Sequence, residues 1–173
     1  VNTTPFRDYN WGATLGGPIL KDRLFFFVAY EETIENESQD FGPSGGGFAN
    51  EAAFATVAEV EAIAAALEAR GIPTGGIASI RPRDSRRILA RGDWNITDNH
   101  RLAFTYQRLF EQSTNTDDQN INNRQLILGN TFFTQGTRSQ TYSARLFSQW
   151  TDNLSTEILA SLSNIDDIQY PVG

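Results

Sequence analysis

Apolar and polar residues alternate along at least six short segments of this chain, and the segments meet in pairs at short polar turns. Period-two alternation predicts strands with one greasy face and one wet face. The first segment covers about Trp11–Ile19 and joins the second, Leu24–Ile34, through Leu20-Lys21-Asp22-Arg23. The third and fourth, Arg87–Ile96 and His100–Phe110, join through Thr97-Asp98-Asn99. The fifth and sixth, Ser139–Trp150 and Ser155–Ile165, join through Thr151-Asp152-Asn153-Leu154. Pro18 cannot donate to a ladder, which places it at a strand end beside the first turn.

The two rows differ sharply in chemistry. In the first segment the apolar row is odd-numbered, with Trp11, Ala13, Leu15, Gly17 and Ile19. In the other segments it is even-numbered: Phe26, Val28 and Tyr30; Ile88, Ala90, Trp94 and Ile96; Leu102, Phe104 and Tyr106; Tyr142, Ala144, Leu146 and Trp150; Ile158, Ala160 and Leu162. The opposite row carries Arg87, Arg91, Asp93, Arg101, Gln107, Arg145, Gln149 and Glu157. That row is too charged for a dry core and suits a wet lumen. The expected fold is therefore all-β, a transmembrane antiparallel up-and-down barrel in which the apolar row meets lipid. A one-residue slip would carry the arginines into hydrocarbon at about 2–4 kcal/mol each near the midplane, so register is well specified. Phe26, Trp94, Phe104 and Trp150 lie near the short turns and form a candidate interfacial girdle, with Trp11 and Tyr106 also assigned to the lipid side. The competing explanation is ordinary packing at one end of a β-sandwich core.

Two long insertions separate the hairpins, at 35–85 and 111–137, and a third loop opens near Pro171. Phe41 to Asn50 is Gly-rich and reads as irregular. From Glu51 to Arg70 the spacing of Phe54, Val57, Val60, Ile63, Ala64 and Leu67 predicts a helix, stopped by Gly71 and Pro73. Its apolar stripe is expected to pack on the rim loops. Barrels of this type put short turns in the periplasm and long loops outside, so both insertions are expected at the cell surface.

Composition narrows the field without deciding it. A mean hydropathy of -0.39 and the lack of a long apolar run exclude a helical membrane protein, but hydropathy is nearly blind to strands that are half polar. A net charge of -7, with 14 scattered basic residues, argues against nucleic acid as a partner. The absence of cysteine excludes thiolate metal sites and disulfides and fits a protein that crosses the periplasm. No signal peptide is visible, and the lack of any methionine leads to the expectation of a piece of a longer chain.

Candidates for chemistry are few. His100 is the single histidine and sits beside a predicted periplasmic turn, which does not suit a triad at the outer rim. Gly45-Gly46-Gly47 lacks the Lys and Ser or Thr of a phosphate loop. Asp117-Asp118-Gln119-Asn120 offers hard oxygen ligands for Ca²⁺ but in no defined spacing, and Asp166-Asp167 reads the same way. The row of arginines either contacts a plug or an acidic substrate or pairs within the wall, with Asp93 and Glu157 as the obvious partners. No catalytic residue, metal or cofactor is expected.

The string Asn10-Trp11-Gly12-Ala13-Thr14-Leu15-Gly16-Gly17-Pro18-Ile19-Leu20-Lys21-Asp22-Arg23-Leu24-Phe25-Phe26-Phe27-Val28-Ala29-Tyr30-Glu31 closely resembles the first barrel hairpin of TonB-dependent outer-membrane receptors, in particular the Oar-like group. Arg91-Gly92-Asp93-Trp94-Asn95-Ile96-Thr97-Asp98-Asn99-His100-Arg101-Leu102 is similar to the next strand pair of that group, and Val57–Arg70 to a helix of an extracellular loop. The resemblance covers most of the chain. It implies a barrel of about 22 strands closed around a plug domain, energised by a periplasmic TonB-type protein and taking up a peptide-like or carbohydrate-like ligand in a Gram-negative outer membrane. The plug and the TonB-contacting segment have no counterpart here. The partners implied are the remaining barrel strands, the plug, the TonB-type protein, the bilayer and an unidentified ligand. A soluble β-sandwich binding module and a barrel enzyme are the alternatives.

Overall fold

A computed structural model describes residues 8–116 and 124–173. In chain order the elements are β1 (Tyr9–Leu20), β2 (Leu24–Ser38), β3 (Phe41–Ser44), β4 (Asn50–Thr56), α1 (Val57–Glu68), β5 (Ile80–Thr97), β6 (His100–Asn115), β7 (Phe133–Thr151) and β8 (Leu154–Pro171). Six of the strands form one antiparallel sheet in the order β1-β2-β5-β6-β7-β8, an up-and-down meander. Among the described residues, β1 and β8 are the edge strands of this sheet.

The three short turns share one feature. A bulge falls beside the turn in every hairpin, between Pro18 and Leu20, Asn95 and Thr97, and Gln149 and Thr151. The first bulge takes up Pro18, which has no N–H to give the ladder. Asp22 adopts φ 62, a left-handed conformation that Asp tolerates, and the Arg23 amide donates to the Leu20 carbonyl at 3.1 Å. Neighbouring turns are also tied together: Asn95 N–H donates to Arg23 O at 2.7 Å, and Gln149 N–H to Asn99 O at 2.8 Å.

The sheet strands run further toward the insertions than alternation predicts. β5 begins at Ile80 rather than Arg87, β6 ends at Asn115 rather than Phe110, β7 begins at Phe133 rather than Ser139 and β8 continues to Pro171. At about 3.3 Å per residue and about 45° of tilt, an 18-residue strand rises about 40 Å, well beyond an apolar band of about 25 Å. Beyond the band both faces are wet, so hydrophobic alternation vanishes while pairing continues. Charge holds this stretch together instead: Arg81 and Arg83 reach Glu37 at 3.2 and 3.9 Å, and Arg83 reaches Glu111 at 3.0 Å. Asp166 and Asp167 accordingly lie in a strand with their side chains on opposite faces, not at a loop tip.

The first insertion also differs from its sequence reading. Phe41–Ser44 and Asn50–Thr56 are short strands paired in parallel, and the helix starts only at Val57. The start is fixed by a capping box. Thr56 Oγ1 accepts from the Glu59 amide at 3.3 Å, and the Glu59 carboxylate accepts from the Thr56 amide at 2.8 Å. Gly45, Gly46 and Gly47 do not form a loose loop. Gly45 and Gly47, at φ 84 and 77, donate their amides to the Glu51 carboxylate at 3.1 and 2.8 Å.

The buried apolar side chains of the described residues are concentrated outside the sheet. Phe48, Ala52, Val60, Ala64 and Phe132 are buried within the insertions, Phe48 and Val60 of the first beside Leu126 and Ile127 of the second, and Ala103 alone is buried on the wall. The insertions interlock through Gly129 N–H to Gly76 O and Asn130 N–H to Thr74 O, both 2.9 Å, and through Asn130 Nδ2 to Pro73 O at 2.8 Å. α1 packs on β3 and β4 of its own insertion, with Val60 and Ala64 buried. No second sheet covers the apolar face of the wall among the described residues. Leu162 is 69 % exposed, Ile158 60 % and Trp94 47 %. A sandwich would need a facing sheet about 10 Å away, so the soluble β-sandwich does not describe this chain.

Candidate functional site

Register sorts the residues of the wall into two faces. Successive partners across the sheet include Thr14, Ala29, Leu89, Gln107, Thr141 and Ser163, all on one side. A cleft of about 830 Å³ touches five adjacent strands here, with Thr14, Glu31, Arg87, Gln107 and Thr141 among its walls. A cleft spanning five strands fits the hollow side of a curved sheet, and the polar row is read as the concave one. A second cleft of about 700 Å³ continues it toward the insertions, lined by Glu111, Gln135, Thr137, Asp167 and Gln169 among others.

The arginines of the concave row are mostly paired. Arg91 grips Asp93 two residues along the same strand, at 2.7 and 2.8 Å through two guanidinium nitrogens. Arg145 meets Glu157 across the β7–β8 ladder at 3.0 Å, and Arg87 meets Glu31 across β2–β5 at 3.7 Å. Arg101 lies in the row of Asn95, Phe147 and Glu157 without an ion pair among the described residues. Gln107 stands in the large cleft, and Gln149 turns its amide to the Thr151 carbonyl at 2.6 Å. Pairs this exposed contribute little stability, about 0–1 kcal/mol each. They neutralise the wall without closing it. Hydroxyl and amide bonds fill the remainder, such as Thr141 to Ser163 at 3.0 Å and Thr137 to Asp167 at 3.0 Å. The concave face therefore offers water, hydroxyls, amides and compensated charge to whatever passes along it.

The opposite face carries the apolar row. Leu24, Trp94, Leu102, Leu146 and Ile158 share one register line near the short turns, and Phe26, Phe104, Ala144 and Ala160 share the next but one. Tyr106 stacks on Tyr142 at 4.9 Å. Trp150 sits at the turn end, donating to Thr156 Oγ1 at 2.9 Å and stacking on His100 at 5.0 Å. Trp11 belongs elsewhere. It pairs with Glu32 near the insertion end of β2 and stacks on Tyr30 at 5.1 Å, so it lies at the far margin of the apolar band. The aromatics thus form two belts, as expected where a wall has two interfaces.

Sequence reasoning missed two groups. The first is the acidic partners Glu31, Glu37 and Glu111 on the concave row, which no single segment reveals as partners. The second is Arg86, Arg108 and Arg138, which share the parity of the apolar row although alternation treats arginine as inward. Their even numbers were the available signal. The candidate cation ligands Asp117 to Asn120 lie outside the described residues, and no cluster of three or more metal-ligating side chains occurs among those described.

Residues 1–44 match a family model described as an outer membrane beta barrel domain. No curated protein and no solved structure matches the chain. The match covers the first hairpin, and the meander, the exposed apolar face and the two aromatic belts extend the same architecture across the sheet. The chain has the fold of a transmembrane antiparallel β-barrel wall, open at β1 and β8, and its place is the outer membrane.

Proposed function

We propose that these strands form part of the wall of a TonB-dependent receptor, which takes up a ligand through the barrel lumen. One observation carries the reading: the concave face is polar, charge-compensated and hollowed into continuous clefts, while the convex face is bare hydrocarbon and aromatic rings. In lipid an open sheet edge leaves unpaired backbone groups that cost several kcal/mol each, so β1 and β8 need further strands to close the barrel. Arg87, Arg91, Asp93, Arg101, Gln107, Arg145, Gln149 and Glu157 then face the lumen or its plug. Trp11, Phe26, Trp94, Phe104, Tyr106 and Trp150 face lipid.

The finer assignment rests on the hairpin Asn10–Glu31, whose Gly-Gly-Pro-Ile turn approach and triple phenylalanine resemble this receptor group. The interlocked insertions suit a ligand-contacting rim, because they form a packed unit above the wall. No catalytic role is assigned to His100, whose ring is taken up by Trp150 at the turn end.

Planar-bilayer conductance of the full-length protein tests this directly. A plugged, energy-coupled receptor gives no steady open channel, and it binds the isolated periplasmic domain of a TonB-type protein in a pull-down. A steady, large conductance without such binding would identify a passive pore instead.

A further inference from the structure

Three arginines on the convex face have no place in the transport reading. Arg86, Phe110 and Arg138 lie in one register line that also contains Trp11, Glu32 and Asp166, and Arg108 lies in the next line but one, between Ile88 and Gln140. Their side chains converge on a cleft of about 340 Å³ walled by Tyr30, Arg86, Ile88, Arg108, Phe110 and Arg138. The volume is about ten times the ~30 Å³ share of a water molecule.

The height of this cleft is set by the strands. Arg86 is ten residues beyond Ile96, about 33 Å along β5 and about 23 Å of rise at 45° tilt. The same arithmetic puts Arg108 about 19 Å above His100, and Arg138 about 28 Å above Trp150. These values bracket the top of an apolar band of about 25 Å. The aromatic belt of Trp11 and Tyr30 marks the same level independently.

Charge at the cleft is only partly compensated. Arg86 is held through Nε by Glu32 at 2.9 Å. Neither Arg108 nor Arg138 has an ion pair with a described carboxylate, and Asp166 stands opposite Arg138 in register without reaching it. The guanidinium of Arg138 lies over the Phe110 ring, 5.4 Å from its centroid, which fixes its plane while leaving its N–H edge for a ligand. Guanidinium groups match phosphate oxygens in a fork geometry.

We propose that Arg86, Arg108 and Arg138 bind the phosphate-bearing headgroup of an outer-leaflet lipid, with its acyl chains running down the apolar row below. The adjoining Ile88 and Tyr30, and then Ala90 and Val28 in the next register line but one, supply the greasy track beneath the charges. This inference rests on the outer-membrane placement of the wall and stands or falls separately from ligand uptake.

The test uses the full-length protein in detergent, titrated with lipid A, with lipid A stripped of phosphate, and with inorganic phosphate, the retained lipid being counted by native mass spectrometry. Lipid A is retained about 25-fold better than its phosphate-free form, at about fivefold for each of the two arginines without a carboxylate partner. Equimolar inorganic phosphate does not displace it. The R86Q/R108Q/R138Q variant falls to the phosphate-free level, while R145Q, on the other face, does not. Equal retention of the two lipids, or unchanged retention in the triple variant, overturns the proposal. Displacement by equimolar inorganic phosphate assigns the site to a soluble anion and also overturns it. Where the triple variant fails to show the heat-dependent gel shift of a folded barrel, the wild-type comparison of the two lipids decides.

Discussion

Placing one arginine on either side of a single strand separates a lipid face from a wet face. Ala144 is six residues from Trp150, about 20 Å along β7 and about 14 Å of rise, close to the middle of a 25 Å band. Its register partners are Phe104 and Ala160, so a guanidinium there has no carboxylate opposite it. Ala144→Arg is expected to cost about 2–4 kcal/mol, the penalty for arginine at the midplane. Ser143, one residue away, pairs with Thr105 and Ser161 on the concave row. Ser143→Arg is expected to fall within about 0.5 kcal/mol of wild type, as for a wet surface. Urea titration of the full-length barrel in lipid vesicles reads the difference as about a 30- to 700-fold change in the folding constant for Ala144→Arg alone. Equal effects, or a larger loss for Ser143→Arg, would refute the assignment of faces.

Other consequences concern the rim. Gly75 adopts φ 66, and a Cβ built there would lie 2.6 Å from the Asn130 amide nitrogen, so Gly75→Ala should part the two insertions. Limited proteolysis should then cut within them while the gel shift of the barrel persists; an unchanged digest would contradict the interlock. The amides of Gly45 and Gly47 hold the Glu51 carboxyl below the ordinary carboxylate range, and the Thr56 amide does the same for Glu59. A depressed folded value means that the stabilisation is complete above the unfolded value and disappears as pH falls through the folded one. The Gly45 and Gly47 amide resonances should therefore titrate with a midpoint below that of an unstructured glutamate, and Glu51→Gln should abolish the titration. A midpoint at or above the ordinary value would show that the carboxylate is not held there.

The wall was legible because a barrel writes its environment into parity. Trp94, Phe104, Leu146 and Ile158 fall on one face simply by being even-numbered, and the paired Arg145 and Glu157 fall on the other. Legibility stops where the apolar band stops. Ile80–Arg86 and Phe133–Arg138 are strand, yet both stretches are mostly polar, the first pairing by charge and the second by side-chain hydrogen bonds such as Thr137 to Asp167, so they read as loop. Local chemistry was equally hidden in the first insertion. Glu51 looked like a first-turn helix residue, and only the folded loop brings it to Gly45 and Gly47. The helix was expected from Glu51, and the signal that sets its true start, the capping-box spacing of Thr56 and Glu59, was passed over. Contacts between the two insertions, such as Thr74 with Asn130, join residues far apart in sequence and leave no local trace.

Site-directed spin labels at successive positions from 157 to 163 on β8, in the full-length barrel in a bilayer, test the central claim most directly. Labels at the positions of Ile158, Ala160 and Leu162 should be relaxed by lipid-soluble oxygen, and those at Glu157, Leu159, Ser161 and Ser163 should be protected from it and reached from the aqueous side to the extent that the lumen is open. Accessibility without a period of two, or oxygen favouring the odd-numbered positions, would contradict it.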